Sequence, residues 1–227
     1  MKGYNSFYVK YTKRVLDIIC SSLSLLVLGI PMLVVALLIR IDLGKPVLFK
    51  QKRIGKDNKE FLLLKFRSMN EKRDENGVYL PDEKRITKLG EVIRRFSIDE
   101  LPSLFNVLKS DMSIIGPRPL PARYLPRYTE KQKHRHDIKP GLSSPSTTNG
   151  RNQQTWEKQF EGDLWYVENA SFITDVKSVV NTIKTVLLKE GVTAEDGGAR
   201  LEFIGLADPN DLKTDSEGNY MKLKEKE

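Results

Sequence analysis

Two adjacent carboxylates are the residues of this chain best suited to carry out chemistry. Asp99 and Glu100 follow a basic, serine-containing stretch at 94–98, and Leu101-Pro102 comes directly after them. Arg118 follows later in the chain between two prolines. Carboxylates can act as nucleophiles, and arginine binds phosphate oxygens through charge-assisted hydrogen bonds. The pattern indicates chemistry on a phosphorylated substrate.

The start of the next helix decides which role the acidic pair can take. Ser97 and Glu100 have capping-box spacing, which would make Glu100 structural. That register puts Pro102 where a helical amide is needed, whereas Asp99 as N-cap puts Pro102 in the first turn, where its missing N–H does no harm. We therefore predict a helix over 100–109 with Asp99 at its positive end, where phosphate also binds. A purely capping role for Asp99 remains the alternative.

A proline-rich segment at 116–121 carries Arg118. Three prolines exclude both a helix and an interior strand, so the segment is predicted to be a stiff loop. A stiff loop would present the guanidinium to phosphate oxygens with little entropy left to lose. A connector bearing a solvated arginine is the plainer interpretation.

Composition limits the partners and the compartment. The 227 residues carry a formal charge of +8, which favours anionic partners such as phospholipids, nucleotides or phosphates. Nucleic-acid binding is not predicted, because the sequence shows no clustered basic stripe with recognisable fold cues. The single cysteine, Cys20, excludes a disulfide within the chain and a thiolate metal site.

An uncharged apolar run at 18–39 predicts a membrane element. As one helix it would just cross a hydrocarbon core of ~30 Å. Lysines and arginines flank both ends, which favours placing both ends on the cytoplasmic side. Gly29 and Pro31 lie near the middle, where proline favours a bend. We predict a re-entrant helix broken at Pro31, with a kinked spanning helix as the alternative.

The remaining chain predicts a mostly helical α+β domain with a small β-hairpin. Apolar runs at 47–50 and 61–66 are separated by a turn at 55–58, and a polar loop is expected at 74–82. Helical spacing marks 86–96, 156–166 and 173–187, and the last of these is predicted to pack its apolar face into the core. The predicted organisation is a membrane helix at 1–41, a catalytic domain at 42–206 and a polar, flexible tail at 207–227.

Taken together, the ordered motifs resemble a small monotopic phosphoglycosyl transferase of the bacterial sugar transferase family. The resemblance extends over 13–191. The motifs that carry it are Lys13-Arg14 with Asp17, Gln51-Lys52-Arg53 with Gly55, Lys65-Phe66-Arg67-Ser68-Met69, Ser97 to Pro102, Leu104, Asn106-Val107-Leu108, Asp111-Met112-Ser113, Gly116 to Leu120, Pro140-Gly141, and Asn149 to Asn152.

This resemblance implies a two-step transfer. Asp99 would attack the sugar-bearing phosphate of a UDP-sugar, release UMP and hold the phosphosugar covalently until undecaprenyl phosphate accepts it. Glu100 would be the partner of the catalytic pair, and Mg²⁺ would bind at Asp99 and Glu100 to reduce repulsion between anions. Phosphoglycosyl transfer at the cytoplasmic face of a bacterial inner membrane is therefore expected, with phospholipids as further partners.

Four basic residues would contact the substrate phosphates. Arg94 and Arg118 match family arginines that steady phosphate groups, and Lys65 and Arg67 are weaker candidates, which could instead lie on a solvated strand face. The donor sugar and the oligomeric state stay open: the short members that act on N-acetylated amino sugars are the nearest in resemblance, but galactose and glucose donors are possible.

Two departures from the family pattern stand out. Ile30 precedes Pro31 where the family has serine. The segment Leu142 to Thr148 replaces a family segment that carries a tryptophan and a glutamine, which puts substrate contacts there in doubt. A catalytically silent, membrane-docked scaffold of the same fold is therefore the alternative function, although the intact Asp99-Glu100 pair argues against it.

Overall fold

The computed structural model describes residues 3–147 and 155–188, together with 203, 205, 212–214 and 220–222. Seven α-helices lie in these residues: α1 Lys13–Asp42, α2 Asp82–Arg85, α3 Lys88–Arg95, α4 Leu104–Leu108, α5 Glu130–Lys133, α6 Trp156–Asn169 and α7 Phe172–Leu188. Short 3₁₀ turns include Ile98–Ser103, His134–His136 and Pro145–Thr147, and a π-helical turn, Tyr8–Thr12, leads into α1.

Six short strands form three separate pairs in the described residues. Antiparallel β1 (Leu48–Ile54) and β2 (Glu60–Phe66) form the predicted hairpin, with Leu48 opposite Phe66. Parallel β3 (Ser113–Ile115) and β4 (Gly141–Ser143) bring distant loops together. Antiparallel β5 (Leu212–Thr214) and β6 (Tyr220–Lys222) lie within the segment predicted as a tail. The predicted mostly helical fold with a small sheet is confirmed.

Helix α1 is the one candidate membrane helix among the described residues. The helical span of residues 8–42 reaches a mean hydropathy of 2.7, and little of it is buried in the protein. The helix continues through Pro31, so a helix break at this proline stays a prediction. At ~1.5 Å per residue its 30 residues extend about 45 Å, more than a hydrocarbon core requires.

Both ends of α1 pack on the rest of the protein. Near the start, Asp17 accepts hydrogen bonds from Ser113 Oγ at 3.0 Å and from the Ile114 amide at 2.9 Å. Near the end, Ile39 is fully buried in a cluster with Phe66 and Ile93. Between these contacts Met32 is buried in the same cluster, whereas one face of the helix exposes apolar side chains: Leu23, Leu26, Val27, Ile30, Leu33, Val34 and Leu37.

Helix α7 contradicts the prediction that its apolar face lies in the core. Ile173 is 66% exposed, and Val176, Val180 and Ile183 are exposed as well. The buried face is polar instead, because Asp175 accepts hydrogen bonds from Tyr8 at 2.7 Å and from Tyr166 at 2.6 Å, and it pairs with the Lys13 ammonium. The apolar face is therefore free to meet a membrane or another partner.

The core of the domain is aromatic. Phe160 on α6 contacts Tyr128 and Phe203 at ring distances of 5.6 and 5.0 Å, and Tyr166 is fully buried. Trp156 packs against this cluster, whereas Trp165 is exposed. Core packing thus accounts for most of the aromatic residues of the segment 156–166. The motif at 149–152 lies outside the described residues.

Candidate active site

The adjacent carboxylates Asp99 and Glu100 lie on a 3₁₀ turn, which corrects the predicted helix over 100–109. The turn spans Ile98–Ser103 and is followed by the short α4. Asp99 lies inside the turn, so it is not an N-cap, and Ser97, at the cap position, makes no side-chain capping bond. The 3₁₀ geometry aligns Ile98 and Leu101, three residues apart, and both pack against the cluster of Ile39 and Phe66. This packing leaves Asp99 and Glu100 to face the polar side.

Ser97 adopts a left-handed conformation, with φ 55°. A non-glycine residue in this region is uncommon and is often found at functional sites. Here it reverses the chain between the end of α3 and the carboxylate turn. The predicted helix at 86–96 is confirmed as α3, and Thr87 caps it by accepting a hydrogen bond from the Gly90 amide at 3.0 Å.

Hydrogen bonds to strand β2 fix the carboxylate turn in place. Ser103 Oγ donates to the Leu64 carbonyl at 2.7 Å. The Asn106 side chain accepts from the Leu64 amide at 3.0 Å and donates to the Leu62 carbonyl at 2.8 Å, as a neighbouring strand would. Because β2 also carries Lys65, these bonds set the position of that lysine relative to the carboxylates.

The structure brings Lys65 and Arg118, two of the predicted phosphate-binding residues, to the acidic pair. Lys65 Nζ lies 2.7 Å from Glu100 Oε1 and 3.8 Å from Asp99 Oδ2, and an Arg118 nitrogen lies 4.0 Å from Glu100 Oε1. Only 13% of the Asp99 side chain is exposed, compared with 46% for Arg118. The site therefore has a sheltered carboxylate at its base and a more accessible guanidinium at its edge.

Burial raises the pKa of Asp99 above its usual value, because a charged carboxylate is poorly solvated there. Lys65 acts in the opposite direction, Glu100 raises the pKa further, and Arg94 and Arg118 lower it. Arg94 thus influences Asp99 through its charge, from an exposed position on α3. The three cations therefore offset part of the effect of burial on the Asp99 pKa.

Arg67 bonds to backbone carbonyls in the described part of the chain. Its guanidinium donates to the carbonyls of Lys45, Pro46 and Met69 at 3.0 to 3.2 Å. These bonds tie the end of β2 to the chain that leaves α1. The phosphate contact predicted for Arg67 stays a prediction.

Arg53 also lies at the candidate site, although it was not among the residues predicted to contact the substrate. It donates to the Pro119 carbonyl at 3.0 Å and to the Gln51 side chain, and the Ile54 amide donates to the Leu120 carbonyl at 3.1 Å. Burial and the nearby Arg118 lower the Arg53 pKa to about 10. Its buried Nε has no hydrogen-bond partner among the described residues. The motif Gln51-Lys52-Arg53 was the sequence signal that pointed to this position.

The predicted stiff loop at 116–121 is confirmed, and the β3–β4 pair holds its start. Gly116 packs directly against the backbone that leads into Gly141. A Cβ on Gly116 would lie only 2.4 Å from the Lys139 carbonyl oxygen. The Gly141 amide donates to the Pro117 carbonyl at 2.9 Å. The close approach requires glycine and fixes the direction in which the loop leaves the strand.

A buried ion pair also supports the loop at 116–121. Arg135 and Asp163 are 1% and 0% exposed, and two Arg135 nitrogens lie 3.0 and 2.5 Å from Asp163 Oδ2. Arg135 also donates to the Arg118 carbonyl at 2.8 Å. Ser146, in the segment that departs from the family, donates to Asp163 Oδ1 at 2.7 Å. The altered segment is therefore connected to Arg118 through two buried side chains.

The two histidines serve as hydrogen-bond partners. His136 donates from Nδ1 to Asn58 Oδ1 at 2.7 Å, and burial lowers its pKa to about 3. His134 lies 3.0 Å from Asp137. No group of three or more potential metal ligands occurs in the described residues. The acidic pair alone suits Mg²⁺ only in the common arrangement in which one or two carboxylates and substrate phosphates share the ion.

Comparison with known proteins identifies the family of the chain. The sequence profile of the bacterial sugar transferase family matches residues 8–189, so the chain belongs to this family. EpsL of Bacillus subtilis, an uncharacterized sugar transferase, is 46% identical over 86% of this chain and 97% of its own length. The predicted family is confirmed.

Relatives named for a specific reaction are longer proteins. UDP-N-acetylgalactosamine-undecaprenyl-phosphate N-acetylgalactosaminephosphotransferase of Aeromonas hydrophila is 36% identical over 78% of this chain and 44% of its own length. Undecaprenyl-phosphate galactose phosphotransferase of Salmonella typhimurium is 33% identical over 80% and 42%. This chain thus spans less than half of either relative. The predicted enzyme class, a phosphoglycosyl transferase, is confirmed.

Proposed function

We propose that this protein transfers a sugar 1-phosphate from a UDP-sugar to undecaprenyl phosphate, with Asp99 as the nucleophile. The observation that carries the proposal is the sheltered Asp99 beside Glu100, with Lys65 within 4 Å of both carboxylates and Arg118 at the edge. Such a site can bind a diphosphate and place a carboxylate oxygen against one phosphorus. The family membership supports the same chemistry.

The reaction proceeds in two displacements. An Asp99 oxygen forms a bond to the phosphorus that bears the sugar, and the bond from this phosphorus to the bridging oxygen breaks, so that UMP leaves with the electron pair. A phosphate oxygen of undecaprenyl phosphate then attacks the same phosphorus, and the Asp99 carboxylate leaves. The products are undecaprenyl diphosphate sugar and free enzyme. The covalent intermediate divides one difficult transfer into two easier ones.

Each neighbouring side chain has a role in these two displacement steps. Ionised Asp99 needs no general base, and Lys65 favours its ionised form. Arg118 is exposed enough to reach the departing phosphate and offers a bidentate fork. Glu100 holds Lys65 in place at 2.7 Å in the free enzyme. Once a diphosphate occupies the site, Lys65 can exchange this contact for a phosphate oxygen.

Asp99 and Glu100 are also the residues that would hold Mg²⁺ together with substrate phosphates. Their adjacent carboxylates fit the small number of protein ligands that this ion takes at phosphoryl-transfer sites. When bound, it would neutralise charge on the diphosphate and on departing UMP. Lys65 and Arg118 supply part of the same neutralisation from the protein.

The packing of α1 supports a re-entrant anchor. Asp17 near its start and Ile39 near its end both contact the catalytic domain, while the middle of the helix exposes apolar side chains. We therefore infer that both ends lie on the same side of the membrane, and the positive flanking charges favour the cytoplasmic face of the bacterial inner membrane. The exposed apolar face of α7 would rest on phospholipids of the same leaflet.

Cysteines introduced at Asn5 and Lys45 in a Cys20→Ser background should both react only from the cytoplasmic side.

The donor sugar is a question for experiment. The named relatives use N-acetylgalactosamine and galactose donors according to their names. We propose testing a panel of UDP-sugars with purified protein in detergent, undecaprenyl phosphate and Mg²⁺, with UMP release as the readout. One preferred UDP-sugar should give turnover.

Intact mass spectrometry tests the nucleophile. With the preferred donor and no acceptor, wild-type protein should gain the mass of one phosphosugar, and Asp99→Asn should gain none. Glu91→Gln is the matched control, since Glu91 is an exposed acid on α3. An adduct on Asp99→Asn would exclude Asp99 as the nucleophile. No UMP from any donor, with folded protein, would instead favour the silent scaffold.

A further inference from the structure

A cavity lies at the start of α1, on the side of the hairpin turn. It has a volume of about 480 Å³, within the range of small-ligand sites. Lys56 and Asp57 of the hairpin turn line it, whereas Lys65 lies five residues beyond the first residue of β2. At ~3.4 Å per strand residue, this corresponds to about 17 Å along β2. The cavity is therefore separate from the carboxylate site.

Cations from three distant segments meet in this cavity. They are Lys10, Lys13, Arg14, Lys56 and Lys139. Three carboxylates also line it, those of Asp17, Asp57 and Asp137. The cavity lining is therefore cationic overall.

Two of these cations are already committed to the protein. Lys13 pairs with Asp175, and Arg14 donates to the carbonyls of Val107 and Leu108 at 2.6 and 2.9 Å. These contacts fix the wall of the cavity next to α1.

The other three cations remain available for a ligand. In the described part of the chain, Lys10 and Lys56 form no ion pair, and Lys139 bonds only to the neutral Ser110 hydroxyl. Burial, with Arg14 and Lys56 nearby, lowers the pKa of Lys139. Such crowding of like charges is relieved when an anion binds between them.

The position of the cavity indicates which anions reach it. Lys10, Lys13 and Arg14 directly precede the apolar part of α1, and Phe7, Tyr11 and Val15 beside them are exposed. Aromatic and basic residues at the end of a membrane helix lie at the level of the lipid headgroups. Phosphate groups are the anions concentrated at that level.

We propose that this cavity is a binding site for a phosphate group, held by Lys10, Lys56 and Lys139. The phosphate is either the phosphodiester of an anionic phospholipid headgroup or a free phosphate ion from solution. A bound headgroup would link the start of α1, the hairpin turn and the loop before β4. The site would thereby fix the catalytic domain at a set depth on the membrane surface.

Native mass spectrometry of the full chain in neutral detergent tests the proposal. Wild-type protein should retain one phosphatidylglycerol in preference to phosphatidylcholine. The triple variant Lys10→Gln, Lys56→Gln and Lys139→Gln should bind it on the order of a hundredfold more weakly, about fivefold for each lysine removed near the surface. The control carries the same charge change at three exposed lysines outside the cavity, as Lys72→Gln, Lys131→Gln and Lys158→Gln, and should bind like wild type.

A second measurement separates the two phosphate sources. Broadening of the ³¹P signal of inorganic phosphate by wild-type protein, lost in the cavity variant only, would support the site with a soluble ligand. Selective phosphatidylglycerol retention supports the headgroup. Equal behaviour of the cavity and control variants, or no binding of either probe by wild type, overturns the proposal. Should the triple variant not fold, the exposed Lys56→Glu alone is compared with Lys131→Glu.

Discussion

Breaking the Arg135–Asp163 pair should both destabilise the protein and weaken donor binding. Asp163→Leu leaves the Arg135 guanidinium buried without its carboxylate, and the loss of one partner from a buried pair costs about 3–5 kcal/mol of unfolding free energy. Arg118 also loses its support, because the nitrogen that donates to its carbonyl is the one closest to Asp163.

The double variant Arg135→Met and Asp163→Leu should be more stable than Asp163→Leu alone. Replacing a whole buried pair by apolar residues is often close to neutral. The remaining losses are the hydrogen bonds of the Arg118 carbonyl and of the buried Ser146 hydroxyl, at about 1–3 kcal/mol each. A cycle of the wild type, both single variants and the double variant should therefore give a coupling energy of about 2 kcal/mol or more.

Two readouts separate stability from positioning. Urea unfolding in detergent, followed by tryptophan fluorescence, reports stability, since Trp156 and Trp165 lie on α6 with Asp163. Among folded variants, steady-state kinetics should show a rise in the KM for the UDP-sugar of roughly 10- to 100-fold, from one charge-assisted contact of about 1.5–3 kcal/mol at Arg118. Glu130→Gln removes an exposed pair with Lys133 and should change neither quantity measurably. A loss below about 1 kcal/mol for Asp163→Leu, or a double variant less stable than it, would refute the reasoning.

Three further predictions follow from single positions. The Asp99 pKa is raised in the folded protein, so the neutral carboxyl favours folding and this contribution is lost as the pH rises through that pKa. Asp99→Asn should therefore have a higher melting temperature than wild type at pH 7 and the same melting temperature in acid. An equal melting temperature at pH 7 would contradict this prediction. Lys65→Met should move the acid limb of the kcat/KM profile to higher pH, because the cation that favours ionised Asp99 is gone; an unmoved limb would remove Lys65 from this role. Val180→Lys should lower binding to liposomes with little loss of stability, because this side chain is exposed on α7; unchanged flotation would mean that this face does not meet lipid.

The helices, strands and loops that position the site could be predicted wherever the local sequence pattern determines the secondary structure. The hairpin, α3, α6 and the stiff loop at 116–121 follow from apolar periodicity and from proline and glycine placement, and the structure has all of them. The carboxylate turn could not be predicted in the same way. Ser97 takes a left-handed conformation and the turn becomes 3₁₀, because Ile98 and Leu101 gain burial against α1 and β2.

Periodicity also failed on α7, for a physical reason. Its spacing identifies an amphipathic helix but not which face is buried. Asp175 bonds to Tyr8 and Lys13 at the other end of the chain and to Tyr166 on α6, and these bonds turn the polar face inward. Only contacts between segments far apart in sequence could reveal this.

The sequence by itself determined the acidic pair, its arginine-bearing loop, the apolar anchor and the family, since each is written in neighbouring residues. The tertiary structure decided which cations reach the carboxylates. It selected Lys65 and Arg118, left Arg67 bound to backbone carbonyls, and placed Arg53 and Arg135 behind the loop. Charge and spacing do not fix these distances, because they depend on how β2, the carboxylate turn and α6 pack around one another.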